Sequence, residues 1–308
     1  MQFYLLINRC MFLKSIVFLV LISFQVNFLF ASPQQKRVKA DSLVIKKLTY
    51  KKIDTVNLKL QLYYPKGFQK NKQYPVIIFF FGGGWNSGST NQFEQQPRYF
   101  SSRGMISILA DYRVYSRNKT SPFEAVKDAR SALRYIKINS KDLNIDTTKI
   151  VASGASAGGH LAAACDLLQF DEAGEDLTIS TKPAALVLFN PVFDNGPGGY
   201  GFERIGERYQ EISPIHNIKI GAAPTILFFG TKDKFVPIET AKLYKRKIEA
   251  VGSQCNLFIF EGLEHGFFNY QKIRNNTYFL ETLKEADISL NSLGLIKGKP
   301  TIQHYLFK

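Results

Sequence analysis

Short runs that are almost wholly apolar recur along this chain, at residues 76–81, 150–153, 185–189 and 225–229. A strand points successive side chains to opposite faces, so a run without polar alternation reads as a strand covered on both faces. Between the runs lie segments with helical spacing. The clearest is Phe123, Val126, Ala129, Leu133 and Ile136, introduced by Ser121-Pro122 as N-cap and first helical residue. Further helices are expected at 93–103, 159–168, 238–251 and 277–293, with strands at 106–109 and 256–260. Strands that alternate with helices imply a mostly parallel, doubly wound α/β sheet with crossover helices. Residues 43–50 and 56–64 alternate instead, with Leu58, Leu60 and Leu62 on one face, and are expected to pair antiparallel at one sheet edge.

The residues that can carry chemistry sit just after the buried runs. Residues 154–158 read Gly-Ala-Ser-Ala-Gly between a strand and a helix, the sequence of a nucleophile elbow. Three fixed positions recur by accident, so the surroundings must decide. A nucleophilic serine needs a base, an acid to orient the base, and donors for the developing oxyanion. His160 lies too close to Ser156 on the same helix, His216 falls in an insertion and His304 in the tail, whereas His265 follows the last strand. Asp233 follows the strand at 225–229 and is favoured as the acid over Asp194, which follows the strand before it. Asp171, Glu172, Glu175 and Asp176 read as a solvated acidic loop. Gly82-Gly83-Gly84 follows the strand at 76–81, where glycine lets backbone amides approach a substrate. A phosphate loop would add Gly-Lys-Ser/Thr, which is absent.

Together these residues resemble an α/β-hydrolase of the hormone-sensitive-lipase-like and bacterial carbohydrate-esterase group. The resemblance rests on Phe-Gly-Gly-Gly-Trp (81–85), Asp111-Tyr112-Arg113, Gly-Ala-Ser-Ala-Gly-Gly-His (154–160), Gly-Thr-Lys-Asp (230–233) and His-Gly-Phe-Phe (265–268). It implies Ser156 as nucleophile, Asp233 and His265 as its partners, and Gly83, Gly84 and Ala157 as oxyanion donors. The group usually has His before its three glycines, and here that position is Phe81. The lipase-like members carry an N-terminal helical cap, whereas residues 43–64 read as strands, so a fairly open site is expected, covered mainly by a Gly/Pro-rich, lid-like insertion at 192–223. Trp85, Phe193 and Tyr200 are candidates to stack on a sugar face. The resemblance extends to secreted esterases that remove acetyl or feruloyl groups from polysaccharides. The expected reaction is acyl, chiefly acetyl, ester hydrolysis through an acyl-enzyme, without metal or cofactor.

The rest of the composition bounds the setting. Arg9 and Lys14 precede an apolar run to Phe30, then Ala31-Ser32, which reads as a secretory signal over residues 1–32, with secretion or export to the periplasm expected. Residues 33–308 then form a single domain, with no membrane span once the signal is removed. The formal net charge is +15, which favours anionic ligands. With the lysines scattered and no nucleic-acid motif present, a Lys-rich surface or an anionic polysaccharide substrate is the reading. Cys165 and Cys255 are expected to be buried free thiols. Two rival readings stay open: a peptidase of prolyl-oligopeptidase type, which normally carries a propeller, and an inactive hydrolase fold serving as a binding module.

Overall fold

The structure is a computed structural model that describes residues 45–272 and 275–302. The expected signal at 1–32, the polar residues 33–42 that follow it and His304 lie outside the described residues. Eight strands form one sheet: β1 (Ile45–Ile53), β2 (Val56–Tyr63), β3 (Tyr74–Phe80), β4 (Ile106–Ala110), β5 (Ile145–Ala155), β6 (Ala185–Phe189), β7 (Thr225–Gly230) and β8 (Cys255–Phe260). Their order is β1-β2-β4-β3-β5-β6-β7-β8. β2 alone runs opposite to the other seven strands, so the antiparallel N-terminal edge and the parallel remainder are both present as expected. At one edge, β1 carries the exposed Lys46, Lys47 and Lys52, a composition that blunts an open edge against pairing with another chain.

The helices are α1 (Gln95–Ser102), α2 (Tyr115–Asn118), α3 (Pro122–Ile138), α4 (Ser140–Leu143), α5 (Ala157–Leu167), α6 (Phe202–Ile205), α7 (Ile238–Ala250) and α8 (Thr277–Ser292). The alternation along β3 shows why its run is apolar throughout. Val76, Ile78 and Phe80 belong to the core that takes residues from α3, α5 and α7. Ile77 and Phe79 belong to the opposite core, with residues of α1 and α8. At about 25 cal/mol per Å² of apolar surface, burying such side chains on both faces is the main drive to form the sheet.

Two expectations are revised. The helix expected at 93–103 is broken into a 3₁₀ turn, Thr90–Phe93, and α1, with Glu94 between them. Of the acidic residues at 171–176 only Asp176 is exposed to solvent as expected, while Asp171, Glu172 and Glu175 are half-buried and paired. Asp171 accepts from Arg130 at 2.6 Å and pairs with Arg134 at 2.7 Å, Glu175 pairs with Arg134, and Glu172 with Lys51 at 2.9 Å. Arg130 and Arg134, one helical turn apart on α3, and Lys51 on β1 supply partners that local sequence could not reveal. Cys165 and Cys255 are buried and free, as expected.

Candidate active site

Parallel strands end on the same sheet edge, so the segments after β3, β5, β6, β7 and β8 converge there. The turn after β5 is the sharpest. Ser156 has φ 53° and ψ −119°, a strained conformation for a residue with a side chain. Three backbone hydrogen bonds hold it: its amide donates to Phe189 O at 3.0 Å, and its carbonyl accepts from His160 N at 3.0 Å and Val192 N at 3.2 Å. The flanking glycines are there because nothing larger fits. A Cβ on Gly154 would lie 2.2 Å from the Gly158 carbonyl oxygen, and one on Gly158 would lie 2.0 Å from that of Phe80. Within residues 151–160 only Ser156 is more than marginally exposed.

After β7, Asp233 is completely buried at its side chain. Its Oδ1 accepts from the amides of Phe235 at 2.8 Å and Val236 at 3.0 Å. Its Oδ2 accepts from Asn190 Nδ2 at 2.5 Å and from His265 Nδ1 at 2.6 Å. Burial opposes ionisation of this carboxyl, but the His265 and Asn190 contacts and the Val236 amide outweigh it and hold the pKa below the usual carboxylate value. With Nδ1 donating to Asp233, the other ring nitrogen of His265 is left as a proton acceptor. Asp194 makes a different arrangement, accepting from the Gly196 amide at 2.8 Å with His216 3.9 Å away. His160 is fully buried against Ile212 O at 2.7 Å, and burial pushes its pKa down to about 4.

The loop after β3 presents amides. Gly82 N donates to Gln92 Oε1 at 2.6 Å, and a Cβ on Gly82 would lie 3.3 Å from Ser156 Cβ, so this loop packs directly against the elbow. Gly83 and Gly84 have φ of 125° and 62°. Their carbonyls are tied back, Gly83 O to Asn86 N at 3.0 Å and Gly84 O to Arg204 Nη1 at 2.6 Å. The amides of Gly83, Gly84 and Ala157 donate to no group among the described residues. Phe81, where the resemblance leads one to expect His, stacks on Tyr112 at 4.1 Å, and Tyr112 Oη donates to Phe81 O at 2.6 Å. An aromatic stack thus supports the loop in place of an imidazole.

The three stacking candidates separate. Phe193 is wholly buried and lies flat on Tyr244 at 3.6 Å, so it is a core residue and not a ligand contact. Trp85 is 1% exposed, edge-on to His160 at 4.9 Å, so its face is not free to stack on a sugar, although it lines a cleft beside the loop. Tyr200 is half-buried with its hydroxyl against Gly84. Sequence reasoning missed Phe235, 58% exposed and 5.0 Å from the His265 ring, and also Gln92 and Asn190. The sequence displays Phe235 two residues after Asp233, whereas its exposure shows only in the structure.

A serine on a strand-to-helix turn, followed in chain order by an acid and then a histidine on the edge of a mostly parallel sheet, defines the α/β-hydrolase class. The BD-FAE family matches residues 60–190, and the dienelactone hydrolase family matches residues 184–289. Esterase 2 of Thermogutta terrifontis, in a structure phosphoramylated by tabun, is 42% identical with a TM-score of 0.79, covering 83% of this chain and 97% of that one. This chain therefore belongs to the α/β-hydrolase esterases. Among curated proteins, a probable isoprenylcysteine alpha-carbonyl methylesterase of Arabidopsis thaliana is 26% identical over 67% of this chain and 48% of its own. An acetylxylan esterase of Xylanibacter ruminicola is 23% identical over 64% of this chain and 42% of its own. The chain spans about half the length of these curated relatives.

Proposed function

We propose that this protein is a secreted or periplasmic serine carboxylesterase that removes short acyl groups, chiefly acetyl, from carbohydrate esters. The observation that carries the catalytic reading is the Asp233–His265 hydrogen bond at 2.6 Å on the sheet edge that also bears the strained Ser156. In this reading His265 Nε2 takes the Ser156 hydroxyl proton as the oxygen attacks the ester carbonyl. Asp233 orients the ring and stabilises its cation. The Gly83, Gly84 and Ala157 amides stabilise the oxyanion, and the alcohol leaves with the proton from His265. Water, deprotonated by the same ring, then releases the acid from the acyl-enzyme.

Short acyl groups are favoured by structures of the Thermogutta terrifontis esterase with propionate and with butyrate bound. The acetylxylan esterase relative and a cleft of mixed polar and aromatic residues favour a carbohydrate. Export is favoured by the charged and apolar N-terminal pattern. No helix among the described residues is long and apolar enough to cross a membrane.

Ser156→Ala is expected to reduce 4-nitrophenyl acetate hydrolysis by a factor on the order of 10⁶ with an unchanged circular dichroism melt. Retained turnover would refute the assignment. Acetate released from acetylated polysaccharides, measured beside fatty acid released from lipid emulsions, tests the substrate, and release from lipid alone overturns the carbohydrate reading.

A further inference from the structure

The loop that carries the oxyanion amides continues into one wall of a cleft of about 380 Å³, whose lining includes Trp85, Asn86, Tyr115, Lys119, Thr120 and Arg204. That volume is at the small end of ligand sites and suits one sugar ring better than a long acyl chain. Two hydrogen bonds fix the wall: Tyr115 N donates to Trp85 O at 3.0 Å and Ser116 N to Asn86 O at 2.8 Å. Arg204 is held in place by Gly84 O and lies 5.5 Å over both the Trp85 and Tyr200 rings.

The charge of this cleft is one-sided. It has two cations and no acidic lining residue. Of the nearby carboxylates, Asp111 is paired with Arg117 at 2.7 Å, while Glu124 sits behind the lining residue Ser121, accepting from its hydroxyl at 2.6 Å. The exposed Glu203 lies 3.3 Å from Arg204 Nε and offsets part of that charge. Lys119 pairs with no carboxylate among the described residues, and its ammonium lies 5.1 Å over the Tyr115 ring. Two further groups are unsatisfied: Trp85 Nε1 and Thr120 Oγ1 are buried with no hydrogen-bond partner among the described residues. Buried polar groups ordinarily find one. One free and one partly offset cation, beside unpaired polar groups, suit a ligand with a single negative charge.

We propose that this cleft is a subsite for a carboxylate, and that the preferred substrates are acyl esters of carboxylated (uronate-type) sugars. The assignment rests on the esterase reading above and names the substrate class of that site. The carboxylate lies between Lys119 and Arg204, the sugar ring occupies the cleft alongside the exposed Tyr115, and the ester reaches the Gly83–Gly84 amides.

Trp85 is the only tryptophan in the chain and lines the cleft, so its emission reports occupancy without any turnover. Titration of the purified protein with sodium galacturonate is expected to give a saturable fluorescence change, at least tenfold weaker with galactose. Lys119→Glu should weaken galacturonate binding at least tenfold, and Lys119→Arg, which keeps the charge, should restore it. Equal response to galactose, or galacturonate binding unaffected by Lys119→Glu, overturns the subsite. Hydrolysis of 4-nitrophenyl acetate by the same preparation separates the two claims. Turnover without galacturonate selectivity refutes the subsite alone, and selective binding without turnover refutes the esterase reading while supporting the carboxylate site.

Discussion

Gln92 touches both halves of the site without being part of the reaction. Its Oε1 accepts from Gly82 N at 2.6 Å, and its Nε2 donates to Asn269 Oδ1 at 3.2 Å, four residues beyond His265. Asn269 in turn donates through Nδ2 to Gly266 O at 3.0 Å. One amide therefore ties the oxyanion loop to the histidine loop, and it leaves the Gly83 and Gly84 amides unspent. Losing one properly placed oxyanion donor costs roughly 10²–10³ in kcat. Loosening the loop should cost less. Gln92→Ala is expected to lower kcat on 4-nitrophenyl acetate about tenfold with KM little changed. A rise in KM alone would show that Gln92 shapes binding and not the oxyanion geometry.

Among the elements, α3 does more than pack. Ser121 Oγ accepts from Phe123 N at 3.3 Å, and Glu124 returns to Ser121 N at 2.9 Å, a capping box with Pro122 at the first helical position. Further along, Arg130 and Arg134 hold the 171–175 loop. The N-terminal cap also borders the cleft, since Ser121 and Pro122 line it. Ser121→Ala should lower the free energy of unfolding by about 1 kcal/mol, the usual cost of a lost cap, as read from urea denaturation. No measurable change would mean that tertiary packing alone positions the helix start.

For the whole molecule, acid is the expected weakness. Burial opposes ionisation of Asp171 and Glu172, but the Arg130 and Arg134 contacts of the first and the Lys51 contact of the second more than offset it. Asp233 and Glu124 are also held below their ordinary values of 3.8 and 4.5. A carboxyl with a depressed folded-state pKa stabilises above its unfolded value, and that stability is lost as pH falls through the folded one. Asp166, raised by burial, works the other way. Buried His160, down to about 4, adds a loss that begins as pH drops below 6.5. The melting temperature should thus start to decline below about pH 6.5 and fall more steeply below about pH 4.5. Calorimetry between pH 3 and 7 tests this, and a flat profile down to pH 4 would contradict it.

Much of this was legible in the chain itself because the signals are local. Sheet burial on both faces shows as unbroken apolar runs, and the elbow shows as glycines where no Cβ fits, as at Gly158 against Phe80 O. The order of Ser156, Asp233 and His265 along the chain follows from where each sits relative to its strand. What only the tertiary structure decided are contacts between residues far apart in sequence. Phe193 meets Tyr244 and is lost to the core. The acidic loop finds its arginines 41 residues upstream, and Gln92 reaches Asn269 across 177 residues. Such pairings leave no periodicity, because their partners are brought together by the sheet order and not by chain spacing.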